Sequence, residues 1–323
     1  MDSDVRDWFR RRTYRVTDFD LPSLVHAKQR SHDRISVVLP ALNEEPTVGE
    51  IVRRVRSCLI EEHRLVDELV VIDSGSQDGT AAAARRAGAK VISAHDVLPC
   101  HGRWPGKGDA LWKSLFATTG DIVVFLDADM IDFDPSFVTG LVGPLLADPD
   151  LGYVKGLYDR PLQTLHGIAP EGGGRVTELI ARPLLNALWP ELAGFVQPLS
   201  GEYAARRRLL EAVPFASGYG VEIGLLIDLL ELAGLDALAQ IDLGVRRHGH
   251  QSQPALGRMA GQILHTALRR APDGPGTPAK STLTQFIRVE DGHEYVDWDV
   301  ATRDRPPIRS LPEYARRNGT LTH

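Results

Sequence analysis

"DIVVFLDAD", residues 121–129, sets five apolar residues, Ile122 to Leu126, directly in front of Asp127 and Asp129. A continuous apolar, β-branched run of this length reads as a strand buried on both faces, the kind found in parallel sheets. Residues at i and i+2 share one face of a strand, so the two carboxylates repel unless a cation lies between them. A D-x-D at a strand end is a site for Mg²⁺ or Mn²⁺, hard ions that take oxygen ligands and share their coordination with substrate phosphates. One turn-capping aspartate beside one solvated acid accounts equally well for the pair in isolation. What favours the metal is its setting, the end of the fourth strand in a repeating strand–helix pattern.

That pattern runs back from residue 121 to residue 35. "ISVVL" (35–39) is a strand, and from Thr47 apolar residues at Val48, Ile51, Val52 and Val55 form the stripe of an amphipathic helix. "ELVVID" (68–73), a helix ending at Gly88, "KVISA" (90–94) and the helical "GKGDALWKSLFATTG" (106–120) complete the series. Alternating units of this kind predict an α/β fold, a Rossmann-like, mostly parallel sheet flanked by helices. Ligands then bind beyond the carboxyl ends of the strands. The remainder is less regular. "GYVKGLYDRPL" (152–162) reads as an antiparallel strand, "GGGRVTELIARPLLNALWPEL" (172–192) as a helix interrupted at Pro183, and "SGEYAARRRLLEAV" and "YGVEIGLLIDLLELAGL" as helices. "LAQIDLGVRRHGH" (238–250) reads as a strand ending in two histidines, residues 272–280 as a flexible loop, and the tail after Arg305 as extended chain. The expected division is an N-terminal helical extension (1–34), a half built on the strand–helix repeat (35–130), a less regular second half (131–270), and a flexible loop with a C-terminal tail (271–323).

Composition narrows the function. The 323 residues are 43% hydrophobic and carry a formal charge of −6, so no global basic field attracts nucleic acid. An anionic ligand therefore needs a local cationic cluster. The most apolar tract, residues 221–245, carries an acid every few positions and does not suit a bilayer. The N-terminus has no apolar signal core. Two cysteines, with neither metal spacing nor a disulfide framework, fit a reducing cytoplasm.

Further clusters follow the other strands and helix starts. "PALNEEPTV" (40–48) places polar groups between a strand and a helix N-terminus, where they reach a ribose or simply complement the helix dipole. Asp73 and Ser74 lie beside it as partners for a nucleoside, whereas Ser76 and Asp78 read as turn and cap residues. "PGKGDALW" (105–112) puts Lys107 between two glycines at a helix start, suited to an anion but not a Walker loop. "GGGRVTE" (172–178) is a second anion nest built on Gly174, Arg175 and Thr177, or else a hinge with a cap. In "VRRHGH" (245–250), His248 would complete an Asp/Asp/His metal set, although a strand-end histidine is commonly nothing of the kind.

Taken in order, "VVLPALNEE", "DELVVIDSGSQDGT", "WPGKGDALWKSL", "GDIVVFLDAD", "GGGRVTELIARPLL", "QPLSGEYA" and "GYGVEIGLLID" resemble the glucosyl-3-phosphoglycerate synthases of actinobacteria, retaining nucleotide-sugar transferases of GT-A fold. The close mannosyl-3-phosphoglycerate synthases share much of this pattern. The resemblance implies transfer of glucose from UDP-glucose to the 2-hydroxyl of 3-phosphoglycerate with Mg²⁺ or Mn²⁺. By the same resemblance the protein is a cytoplasmic homodimer with no nucleic-acid or membrane partner. Pro40, Ala41, Leu42 and Glu44 would hold uridine and ribose, with Ser74 and Lys107 on the diphosphate and Met259 lining the nucleotide site. Asp127, Ala128 and Asp129 form the D-x-D, with Asp127, Asp129 and Lys107 as the catalytic set and Asp129 and His248 as metal ligands. Leu199, Tyr219 and Glu222 would position the donor sugar. Gly174, Arg175 and Thr177 would bind the acceptor, joined by His250, which stands where the family has an asparagine. Three rival readings remain: a GDP-mannose-dependent mannosyl synthase, a polyprenyl-phosphate glycosyltransferase and a catalytically silent nucleotide-sugar sensor.

Overall fold

The computed structural model describes residues 2–159, 162–164, 167–169, 174–246, 252–272, 280–290, 292–317 and 319. Its centre is an eight-stranded sheet made of β1 (Thr13–Arg15), β2 (Ile35–Ala41), β3 (Glu68–Asp73), β4 (Lys90–Ser93), β5 (Ile122–Phe125), β6 (Tyr153–Asp159), β7 (Tyr203–Arg206) and β8 (Leu238–Val245). The spatial order is β1-β8-β6-β7-β5-β2-β3-β4. All pairings are parallel except those of β7, which runs antiparallel to both β5 and β6. The longer helices are α1 (Ser3–Arg12), α2 (Leu21–Ser31), α3 (Glu45–Arg54), α4 (Thr80–Arg86), α5 (Lys107–Ala117), α6 (Ser136–Ala147), α7 (Arg182–Leu188), α8 (Val221–Ala233) and α9 (Gln253–Arg270).

The strands are apolar throughout because both faces are covered. Val38, Val70, Ile72, Val123 and Phe125 join one buried cluster with Leu111, Trp112 and Leu115 of α5 and Ile223 and Leu226 of α8. Their strand neighbours Val37, Leu39, Val71, Ile122 and Val124 point the other way, onto Val48, Ile51 and Val52 of α3 and Leu141 of α6. This is period-2 alternation with an apolar residue at every position. From β2 the chain steps outward through β3 to β4, then returns to β5 on the opposite side of β2. The strand order reverses there, and in a sheet of this type the loops part at that point to leave a crevice.

Elsewhere the sequence reading needs correction. "SGEYAARRRLLEAV" is a strand first, with helix confined to Arg207–Leu210. Tyr203, Ala204 and Ala205 are fully buried, and Ala204 pairs with both Val124 and Val154, so burial between two strands overrides the helix preference of the Ala and Arg residues. β6 is antiparallel to β7 only, and parallel to β8. Pro183 does not interrupt its helix. A wide turn over Thr177–Ala181, with the Arg182 N–H donating to the Thr177 carbonyl, admits the proline ring and continues into α7.

The N-terminal segment adds β1 to the sheet edge and is pinned by Trp8, fully buried, whose indole N–H donates to the Leu238 carbonyl at 2.9 Å. Toward the C-terminus, Thr282–Val289 and Gly292–Asp299 form an antiparallel hairpin. The tail after Arg305 is not extended, because a short turn and the helix Pro312–Arg317 follow, with Ile308 and Tyr314 buried. Among the described residues, no helix is long and apolar enough to cross a membrane.

Candidate active site

The reversal between β2 and β5 opens into a cleft of about 640 Å³. Pro40 and Ala41 close β2 and, with Leu42 and Glu44, form one wall; Ser74 follows β3, and Asp127, Ala128 and Asp129 follow β5. The loops after β2 and β3 are locked together. The Asn43 N–H donates to Ser76 Oγ (3.0 Å), the Gln77 N–H to Asn43 Oδ1 (2.8 Å) and the Glu44 N–H to Thr80 Oγ1 (2.7 Å). Asp73 does not line this cleft. Its carboxylate is taken up by the Ser76 N–H and hydroxyl of its own turn.

The opposite wall comes from helix starts. Lys107 opens α5, Tyr219 precedes α8, and Glu222 sits in the first turn of α8. Gly106 (φ +91°) and Gly218 (φ +65°) let these two starts touch, for a Cβ on Gly106 would come within 2.5 Å of the Gly218 Cα. Gly174, Arg175 and Thr177 lie at the start of the helix leading into α7, Leu199 follows in the chain, and Met259 projects from α9; all five line the same cleft. Arg175 is exposed and Thr177 buried. His248 and His250 lie outside the described residues.

The floor is a network of charges. Lys107 Nζ sits 2.5 Å from Asp127 Oδ1 and 3.0 Å from Glu222 Oε1. Arg246, just past β8, donates to Asp127 Oδ2 (3.2 Å), Asp129 Oδ1 (2.6 Å), Glu202 Oε1 (2.5 Å) and the Tyr158 hydroxyl (2.8 Å). Burial opposes the Lys107 ammonium, but Asp127 and Glu222 outweigh it and hold its pKa well above the usual lysine value. Burial likewise works against the Asp127 carboxylate, and Lys107 and Arg246 reverse that, holding it well below the usual range. Two cations thus face four carboxylates, and the excess negative charge spreads: desolvation together with Asp129 and Asp127 pushes Glu44 up to about 7.

Arg246, Glu202 and Gly201 escaped sequence reasoning. The first two are buried, and their partners come from distant strands. Gly201 is required because a Cβ there would overlap the Asp127 carboxylate. The basic run after the apolar stretch 238–245 was the available clue. Trp104, which also lines the cleft, carried none.

The donor set suits a hard divalent ion. Asp127 and Asp129 offer carboxylate oxygens, the Asp129 side chain is half exposed, and the network is short of positive charge. Among the described residues no third Cys, His, Asp or Glu joins the pair in a compact ligand group. That matches ions of the Mg²⁺ and Mn²⁺ type, which bind through one or two carboxylates plus substrate phosphates.

The sequence matches the pattern of glycosyl transferase family 2 over residues 36–198. It is 52% identical over 284 residues, 86% of each chain, to the glucosyl-3-phosphoglycerate synthase of Mycobacterium tuberculosis (strain CDC 1551 / Oshkosh). A crystal structure of the Mycobacterium tuberculosis glucosyl-3-phosphoglycerate synthase in complex with Mn²⁺, UDP and phosphoglyceric acid is similar at a TM-score of 0.81 and 48% identity, covering 90% of this chain and 95% of that one. The mannosyl-3-phosphoglycerate synthase from Rubrobacter xylanophilus gives a TM-score of 0.86 at 37% identity, covering 95% and 98%. Sheet order, cleft and acidic pair therefore define a nucleotide-sugar glycosyltransferase of GT-A architecture. The chain belongs to glycosyl transferase family 2 and, within it, to the glucosyl-3-phosphoglycerate synthases.

Proposed function

We propose that the protein transfers glucose from UDP-glucose to the 2-hydroxyl of 3-phosphoglycerate with retention at the anomeric carbon. The observation that carries this reading is the convergence on one cleft of the acidic pair, Lys107 and the Gly174–Thr177 helix start, although these lie far apart in sequence. Pro40, Ala41, Leu42, Glu44 and Met259 hold the nucleoside. Leu199, Tyr219 and Glu222 hold the sugar. A Mg²⁺ or Mn²⁺ ion, held by Asp129 with His248, would neutralise the diphosphate as it departs. Lys107 adds a fixed cation beside Asp127, preorganised by its two carboxylate partners.

Arg175, Thr177 and the backbone N–H groups after Gly174 take the acceptor's phosphate or carboxylate, and His250 adds a further contact. Gly174 has φ +78°, a conformation that favours glycine, and the helix start it opens lines the cleft. Orienting a small, highly charged acceptor in this way supplies proximity. The sugar–phosphate C–O bond breaks, the bond from C1 to the acceptor oxygen forms on the same face, and the acceptor's proton leaves with the departing diphosphate. Acting with neither nucleic acid nor membrane, the protein works as a cytoplasmic homodimer, on the same family resemblance.

A second reading has one observation in its favour, the high structural similarity to a mannosyl-3-phosphoglycerate synthase. A panel of UDP-glucose, GDP-glucose, GDP-mannose and UDP-galactose, each assayed with 3-phosphoglycerate and Mn²⁺, separates the two. The expected result is fastest turnover with UDP-glucose; turnover with GDP-mannose alone overturns the assignment.

A further inference from the structure

Away from the cleft, Cys100, His101 and Glu313 bring a sulfur, an imidazole nitrogen and a carboxylate together, their ligand atoms all within 4.8 Å of one another. Cys100 and His101 lie on the short turn Pro99–His101, and Glu313 on the helix Pro312–Arg317. His101 Nε2 and Glu313 Oε2 are each buried without a hydrogen-bond partner, 3.6 Å apart. That is too long for a hydrogen bond. The Cys100 Sγ stands 3.7 Å from Glu313 Oε1. Tetrahedral zinc with bonds of about 2.0–2.3 Å sets its ligand atoms roughly 3.4–3.6 Å apart. The two separations run to different oxygens of the Glu313 carboxylate, so one of them at a time matches an edge of such a tetrahedron, and the three ligand atoms as a set lie within 4.8 Å of one another.

His101 is also held in place by its neighbours. The His101 ring packs edge-on against Trp112 at 5.8 Å. Arg305, itself buried, donates to the carbonyls of His101 (2.6 Å) and Gly102 (3.1 Å) and to Asp109. Such outer contacts orient metal ligands before the metal arrives.

We propose that Cys100, His101 and Glu313 bind a zinc-class divalent cation at a second site, chemically distinct from the cleft site of Asp129 and His248 because it adds a sulfur donor. Mixed sulfur, nitrogen and oxygen donors select such an ion, whereas carboxylates alone select Mg²⁺ or Mn²⁺. Cys100 ligates as the thiolate, so its proton leaves to solvent on binding. The ion ties the C-terminal helix to the loop that runs on through Arg103 and Trp104 to Lys107. The other Cys/His/Glu group, Cys58, Glu62 and His63, occupies one turn with Glu62 largely exposed, and none of its ligand atoms is a buried, unpartnered one. It serves as the internal control.

The test uses the full-length chain stripped of metal with a chelator and titrated with Co²⁺, whose thiolate complexes absorb strongly, followed by displacement with Zn²⁺. The expected result is a thiolate-to-cobalt band that saturates at one equivalent and is removed by Zn²⁺. Cys100→Ser abolishes the band, and Glu313→Gln weakens binding at least about 100-fold, beyond the upper range for loss of a supporting contact. Asp129→Ala and Cys58→Ser leave the band unchanged. No band in the native chain, a band that survives Cys100→Ser, or one that disappears with Cys58→Ser overturns the assignment.

Discussion

The two sides of the sheet place their functional groups by different means. From β2 to β5 the strand ends do it: each strand is buried on both faces, and the residues immediately after β2 and β5 fall at the cleft because the strand order reverses there. From β6 to β8 placement depends on charge. Arg246 leaves β8 and is held by Glu202, Asp127 and Asp129, so its position is defined by carboxylates on other strands. The first side follows from local sequence pattern, and the second exists only once the sheet has closed.

Four substitutions break or sharpen that contrast. Asp129→Ala has the largest expected effect, a loss of turnover of about 10³-fold or more, because the strand-end pair then lacks its more exposed carboxylate, the one proposed to hold the metal. Circular dichroism and melting should remain close to native, since Asp129 is half exposed; unfolding of this variant would move the residue from the first kind of placement to the second. Lys107→Ala removes the cation facing both Asp127 and Glu222 and should lower kcat by about 10²–10³-fold. Initial rates at saturating donor and acceptor check this.

Arg175→Ala tests the acceptor wall. A charge-assisted contact contributes about 1.5–3 kcal/mol, so the KM for 3-phosphoglycerate should rise about 10–100-fold with the UDP-glucose KM nearly unchanged. Unaltered acceptor kinetics would remove Arg175 from the site. The smallest effect is on stability. Lys155 is buried beneath the floor, 3.1 Å from the Tyr153 hydroxyl and 4.8 Å from the centre of the Tyr203 ring, and burial lowers its pKa to about 7. Between that value and the ordinary lysine range the unfolded chain holds a proton that the folded chain releases, so stability rises with pH across this window. Lys155→Met removes that term and should stabilise the fold at neutral pH by about 2 kcal/mol, with the gain shrinking toward alkaline pH. Denaturant midpoints measured across the window read it directly.

Legibility in the sequence follows the same division. The first four strands of the repeating pattern and their helices were readable because each is a continuous apolar run bounded by a turn, and the D-x-D stood out at the last of them. β7 was not, since "YAAR" carries helix-forming residues and becomes a strand only between Val124 and Val154. The Arg246 contacts span 44 residues to Glu202 and 117 to Asp129, separations that no local pattern encodes. The family resemblance named further cleft residues, including Leu199 and Met259, that spacing alone did not single out. Asp73 shows the opposite failure: a carboxylate at a strand end looked like a ligand and is spent on its own turn.

The most direct test of the central claim is the rate of UDP release from UDP-glucose with Mn²⁺, measured with and without 3-phosphoglycerate in the native chain. The account predicts rapid release only when donor, acceptor and metal are all present, with the hexose recovered on the acceptor's 2-hydroxyl. Release that proceeds equally well without 3-phosphoglycerate, or binding of UDP-glucose with no release under any condition, would contradict it.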